Sequence, residues 1–325
     1  MRASCAVFLA AVIGLGFAPP RTHKSVPPRA HTSTHRLQCG DYLSFQVLLD
    51  RQGFSPGQID GHPGDNFAHA IAAAQQARQV TVTSQADCDT WQALGGDAME
   101  PPLTDYTITD ADMKGPFEKR IPDDMMAQAK LPALSYQSAI EMLAERFHAS
   151  PALLLSLNRR TAFASGRTIR VPAVTPFDPN ARPKVASDAD AVTITVSKED
   201  SALHATKPDG SFVFFAPVTT GSEHDPLPIG NWKVTAVLWH PVFHYNPNLF
   251  WDAKAHDERT MIKPGPNNPV GVVWISLDLE HYGLHGTPEP SLVGHAASHG
   301  CVRLTNWDAV RVASLVTRGT PVVFQ

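Results

Sequence analysis

Twenty-eight prolines spread through 325 residues limit this chain more than any other feature. A proline fixes φ, lacks an amide donor, and breaks helix interiors and central strands alike. At well above the ~5% of ordinary chains, that density disfavours an all-helical bundle and predicts many turns and extended connections. The hydrophobic share of 43% and the charged share of 18% are still those of a chain that packs a core. At about 150 residues per domain, the length suggests two folded units or three small ones. The formal net charge of −4 lacks the positive excess of a duplex-coating protein, so no nucleic-acid partner is expected.

The N-terminus reads as an export signal. Met1-Arg2 is followed by the small and apolar run Ala6 to Phe17, which is short of the ~20 residues that span a bilayer. Gly16 and Ala18 offer small residues for cleavage, so residues 1–18 are expected to be a signal peptide and the mature chain to be periplasmic. Residues 19–36, rich in Pro, Thr and His without apolar periodicity, read as a flexible tether.

Helical periodicity then takes over. The runs LSFQVLLDRQ and NFAHAIAAAQQA flank the turn-rich GFSPGQIDGHPGD, with Asp65-Asn66 placed to cap the second helix. A helix, a turn carrying Ile-Asp-Gly and a second helix ending in glutamines resemble the peptidoglycan-binding helical domain, and residues 37–98 are assigned to it. Residues 99–132, proline-rich and aperiodic, read as a linker. In residues 133–175, Ala139, Leu143 and Phe147 form one helical stripe and Leu153, Leu154 and Leu157 a second. Ser150-Pro151 marks the second helix start, and a strand follows at Thr168–Val171. That succession resembles a lysin-motif domain, a small α+β module that binds glycan strands.

From residue 190 the pattern becomes β. AVTITVS alternates, and FVFFAPVTT, GNWKVTAVLW and VGVVWISLDL follow with turn residues between them. One helix, Asn306 to Thr317, and a last strand, Pro321–Phe324, complete a mainly β sandwich or barrel-like domain over residues 190–325. Within it, WHPVFHYNPNLFW, with His240 and His244, suits a lid over an elongated substrate.

Nine of the 15 histidines lie after residue 200, and three cluster around the one cysteine there. The stretch reads His285-Gly286-Thr287, then Ser298-His299-Gly300-Cys301-Val302-Arg303. A thiol attacks as thiolate and needs a base or positive influence nearby, while the imidazole needs an oxygen to fix its tautomer. Gly300 allows tight backbone geometry before the nucleophile. Zinc is the rival reading, but His285, His295, His299 and Cys301 match no usual ligand spacing, so no metal is expected.

SHGCVRL preceded by HGT resembles the signature of the L,D-transpeptidase catalytic domain. The resemblance implies a nucleophile at Cys301, a general base at His285 and a tautomer-fixing carbonyl at Gly286. It also implies that His299 shapes the oxyanion region with Gly300, and that Arg303 and Ser298 serve substrate and turn. In that family the cysteine attacks a peptidoglycan tetrapeptide stem, releases D-Ala and passes the acyl group to an amine, with no cofactor. A second stem, a lipoprotein lysine, a D-amino acid or water would each give a different product. An L,D-carboxypeptidase, a wall crosslink endopeptidase and a non-catalytic wall-binding protein are the alternatives. Carbapenem β-lactams are the implied covalent inhibitors. Cys5 leaves with the signal and Cys301 must stay free, so Cys39 and Cys88 are expected to pair.

Overall fold

The apolar stripes read from the sequence fold where they stand, and the local caps explain their ends. The computed structural model describes residues 37–183, 191–296, 298 and 300–325. The expected signal peptide, the tether and His299 lie outside the described residues. Helix α1 (Tyr42–Arg51) starts at Asp41, whose carboxylate accepts from Ser44 N at 2.7 Å. Helix α2 (Asp65–Ala77) departs from expectation: Gly64 is its N-cap, and Asp65 lies in the first turn, where its charge suits the helix dipole. Asn66 does not cap at all. Its amide donates to Val293 O, 2.8 Å away and 227 residues along the chain. A short α3 (Cys88–Ala93) follows, and Cys39 and Cys88 are joined in a disulfide as expected.

The proline-rich segment taken for a linker is structured. It holds strand β1 (Leu103–Thr107) and two short helices, α4 (Asp110–Lys114) and α5 (Met125–Gln128). After α6 (Ala139–Arg146) and α7 (Pro151–Leu157), strand β2 (Thr168–Pro172) pairs antiparallel with β1 over five residues. The α7 start is the expected one, with Ser150 as cap and Pro151 in the first turn. The sequence hid β1 because alternate burial is weak there, two of its five residues being half-buried and three exposed. Its partner lies some sixty residues away.

The remaining strands form one mixed sheet. They are β3 (Thr193–Ser197), β4 (Ala202–Thr206), β5 (Phe212–Pro217), β6 (Gly230–Trp239), β9 (Val273–Leu277), β10 (Gly283–His285), β11 (Val302–Arg303) and β12 (Pro321–Phe324). Two further short strands, β7 (Phe243–Tyr245) and β8 (Thr260–Ile262), pair with each other in the insertion read as a lid. The sheet order is β11-β10-β9-β6-β12-β3-β4-β5, with β10/β11 and β12/β3 parallel and the other pairs antiparallel. Helix α8 (Asn306–Leu315) packs Trp307, Ala309, Val310, Val312 and Ala313 into the sheet's core. The mainly β C-terminal domain and the helical region before it are thus as expected.

The N-terminal helical region packs against the large sheet. Residues from Arg36 to Gln325 form one compact unit. Phe45, Leu49, Phe54 and Ile71 share a core with Ala202 and Phe215 of the large sheet. Gly53 O accepts from Phe215 N at 2.9 Å and Ser55 N donates to Phe215 O at 2.9 Å, so residues 53–55 cover the edge strand β5. The rings of Phe54 and Phe212 stack at 4.0 Å. On its other side α1 buries Val47 with Ile59, Leu143, Leu154 and Ile169. Among the described residues, no helix is long and apolar enough to cross a membrane.

Candidate active site

The two halves of the histidine–cysteine motif meet because β10 and β11 are parallel neighbours. Leu284 stands opposite Val302 and His285 opposite Arg303, which aligns Cys301, just before β11, with Gly283. Side chains alternate along a strand, so Cys301 and His285 belong to the same face of the sheet. Gly283 has no room for a side chain there, since a Cβ would lie 2.7 Å from the Trp274 ring.

His285 is 3% exposed, and its Nδ1 lies 2.6 Å from Gly286 O. A carbonyl only accepts, so Nδ1 carries the proton and Nε2 is left with its lone pair. The imidazole stacks on Trp274 at 5.2 Å with 13° between planes. Burial, together with the Arg303 charge, holds His285 down at about 3, against the pull of the Gly286 carbonyl. It is a neutral base in a dry setting.

Cys301 is partly exposed and unpaired. Its thiol points to His281 O, 3.6 Å away. Burial pushes it up to about 11, although a hydrogen bond from the Gly283 backbone and the Arg303 charge both favour the thiolate. The resting pair is therefore neutral thiol and neutral imidazole. Proton transfer must accompany attack.

The turn before Cys301 is held from several sides. Ser298 is 2% exposed; its Oγ donates to Cys301 O at 2.6 Å and its N to Thr220 O at 2.9 Å. Its hydroxyl proton is thus committed to the turn. Gly300 has φ +96°, and a Cβ there would lie 2.6 Å from Tyr282 Cε1. Gly286 is equally constrained, since a Cβ would lie 2.1 Å from Asn306 Oδ1. The loop between the two motifs is tied by Thr219 Oγ1, which donates to Leu292 O at 3.2 Å and accepts from Gly294 N at 3.0 Å. Asn66 holds the same loop from α2.

Arg303 pairs its backbone with Thr219, N to O at 2.9 Å. Burial lowers its guanidinium, while the charges of Cys301, Glu289 and Asp252 act the other way. Asp252 belongs to the insertion after β7, so that insertion reaches the electrostatic field of the site. Trp251 in the same insertion is 59% exposed and lies against His224 at 4.5 Å. His244 sits on β7, and His240, directly after β6, has a positive φ of 50°.

Sequence reasoning singled out Cys301, His285, Gly286 and Gly300, which the strand pairing and turns place close along the chain's fold. It missed Trp274, Tyr282 and Asn306, which touch them. Tyr282 and Asn306 each lie within five residues of a motif residue, so neighbourhood was the available signal. Glu145, which reaches Asn306 from α6, had none.

Residues 191–324 match the family model of the L,D-transpeptidase catalytic domain, and residues 41–94 match the model described as "Putative peptidoglycan binding domain". The "Putative L,D-transpeptidase YkuD" of Bacillus licheniformis is 48% identical over 60 residues, 18% of this chain and 36% of that one. The "Probable L,D-transpeptidase YbiS" of Escherichia coli K12 is 28% identical over 135 residues, 40% of this chain and 44% of that protein. The chain thus spans well under half the length of these relatives. Of solved structures, an L,D-transpeptidase from Mycobacterium smegmatis aligns at 15% identity and TM-score 0.34, over 52% of this chain and 84% of that chain. An L,D-transpeptidase in complex with imipenem, LdtMt1, aligns at 15% identity and TM-score 0.34, over 51% and 77%. Residues 191–324 are thus similar to L,D-transpeptidase catalytic domains, and residues 41–94 to a peptidoglycan-binding domain.

Proposed function

We propose that this protein is an L,D-transpeptidase of the cell wall that works through an acyl thioester on Cys301. The observation that carries the proposal is the fixed tautomer of His285: Nδ1–H is spent on Gly286 O, leaving Nε2 basic on the face that Cys301 shares. In the forward step Sγ forms a bond to the stem-peptide carbonyl before the terminal D-Ala. The thiol proton passes to His285 Nε2 and then to the departing D-Ala nitrogen. An acceptor amine next attacks the thioester, gives its proton to the same nitrogen, and the thiol is restored. His299 and Gly300 would shape the region where negative charge develops on the carbonyl oxygen, and Arg303 would face a substrate carboxylate.

Amide is exchanged for amide, so the balance requires neither metal nor nucleotide. The acceptor is a second stem peptide, giving a crosslink, or a lipoprotein lysine, giving an anchor. A cell-wall, periplasmic location follows from that substrate and agrees with a disulfide in the first module. A strained β-lactam such as a carbapenem would acylate the same sulfur, since it needs only the nucleophile and its base.

Purified protein incubated with tetrapeptide muropeptides decides between outcomes by mass spectrometry. Dimers that have lost one D-Ala indicate transpeptidation, and tripeptide alone indicates carboxypeptidase action. Cleaved dimers indicate an endopeptidase. Unchanged substrate with intact wild-type protein would overturn the reading.

A further inference from the structure

We propose that Glu145, on α6 and outside the catalytic-domain match, is a positioning residue for His285 acting through Asn306. The proposal rests on the reading of His285 as general base. Its basis is a continuous chain of contacts. Glu145 Oε1 accepts from Asn306 Nδ2 at 2.7 Å, and both residues are buried. The second Asn306 amide hydrogen goes to Pro266 O at 3.0 Å, and its Oδ1 accepts from Val272 N at 3.1 Å. Asn306 is fully enclosed, and its Oδ1 occupies the space a side chain at Gly271 or Gly286 would need, 2.1 Å from either Cβ position. The Asn306 amide therefore lies directly on Gly286, whose carbonyl fixes the His285 ring at 2.6 Å.

The amide group of an asparagine can rotate about its last torsion, and only its hydrogen-bond partners choose the orientation. Removing Glu145 leaves one buried N–H without an acceptor. Desolvating that group is costly, so the amide is driven to turn or to admit water. Either response shifts the plane on which Gly286 rests. Burial holds the Glu145 carboxyl up at about 7, with Tyr136 and Asn306 as its hydrogen-bonding partners, so a neutral carboxyl or an amide satisfies the site.

Neighbouring residues on α8 are held from the same side. His148 stacks on Trp307 at 5.1 Å with 6° between planes, and Ser55 Oγ donates to Asp308 Oδ2 at 2.9 Å. Three consecutive residues at the start of the helix after the SHGCVR motif are thus each gripped by the N-terminal region. The first of them touches the histidine's anchor.

The test uses the full chain with 15N-labelled histidine. In wild type the His285 Nδ1–H should give a slowly exchanging proton signal. Glu145→Leu should lose that signal to exchange and lower kcat on muropeptide about tenfold or more, a size typical of small misplacements of a catalytic group, with KM within twofold. Glu145→Gln, which still accepts from Asn306, should restore both readouts to near wild type. Should Glu145→Leu fail to fold, Glu145→Asp carries the same expectation, because it retracts the carboxylate by one methylene. If the substituted protein keeps the signal and kcat, or if Glu145→Gln is impaired as badly as Glu145→Leu, the proposal is wrong. A wild type without turnover would sink the enzymatic reading alone, and the proton signal would still decide the positioning role.

Discussion

Cys301 and His285 are both uncharged at neutral pH, and this shapes what the site can be expected to do. With the thiol raised to about 11 and the imidazole lowered to about 3, neither titrates between pH 4 and 10. Alkylation of Cys301 by iodoacetamide should therefore keep accelerating roughly tenfold per pH unit up to pH 10, since only thiolate reacts. A plateau below pH 7 would reveal a preformed ion pair and refute the neutral pairing. Cys301→Ala should abolish turnover with the fold intact, and His285→Gln should be nearly as damaging. Gly300→Ala combines a backbone φ of +96° with a Cβ only 2.6 Å from Tyr282. It should lower kcat at least tenfold by moving the neighbouring sulfur, and wild-type kinetics in that variant would show that the turn tolerates a side chain.

At the scale of elements, α8 links the site to the rest of the molecule. Its N-cap Thr305 accepts from Asp308 N at 3.2 Å and donates to Asp308 Oδ2 at 2.7 Å, so Asp308 caps and is capped. Burial pushes Asp308 up to about 7, although Thr305, His148 and Ser55 all favour its charge. A carboxyl whose folded value exceeds its unfolded one binds more protons when folded. Its contribution is full below the ordinary carboxylate range and is lost as pH rises from about 4 to 7. Asp308→Asn should remove that slope, flattening the change in unfolding free energy across this window by on the order of 4 kcal/mol relative to wild type. Parallel denaturation curves of the two proteins at pH 4 and pH 7.5 provide the measurement, and an unchanged difference between them would contradict the assignment.

The molecule as a whole is more integrated than a string of binding modules. Phe54, Phe212 and Phe215 form one apolar contact across the two regions, and losing a large buried aromatic costs about 3–5 kcal/mol. A fragment beginning at residue 191 would uncover β5 and leave Asp308 without Ser55. It should express as an aggregating or loosely packed species that binds ANS and lacks near-UV circular dichroism. A soluble, fully active fragment would reduce the N-terminal region to a tether. The Cys39–Cys88 bridge spans 49 positions, a loop size for which chain entropy gives about 3–4 kcal/mol. Non-reducing peptide mapping of exported protein should recover the linked pair, and reduction should lower Tm.

Local pattern alone determined a good part of this protein. Strand β6 alternates in burial on either side of an irregularity between Val234 and Ala236, Ser150-Pro151 starts α7, and α8 and β12 lie where their stripes predict. The histidine–cysteine motif is local too, because strand pairing in the family signature brings near neighbours together, and Cys39 and Cys88 were paired by elimination. Tertiary structure decided what depends on distant partners. Strand β1 exists because β2 pairs with it, and Asn66 serves the catalytic loop instead of its own helix. Glu145 meets Asn306 across 161 positions. The charge state of the site was also beyond the sequence. Residue types name the groups that can titrate, but burial sets their protonation, and burial is a property of the assembled fold.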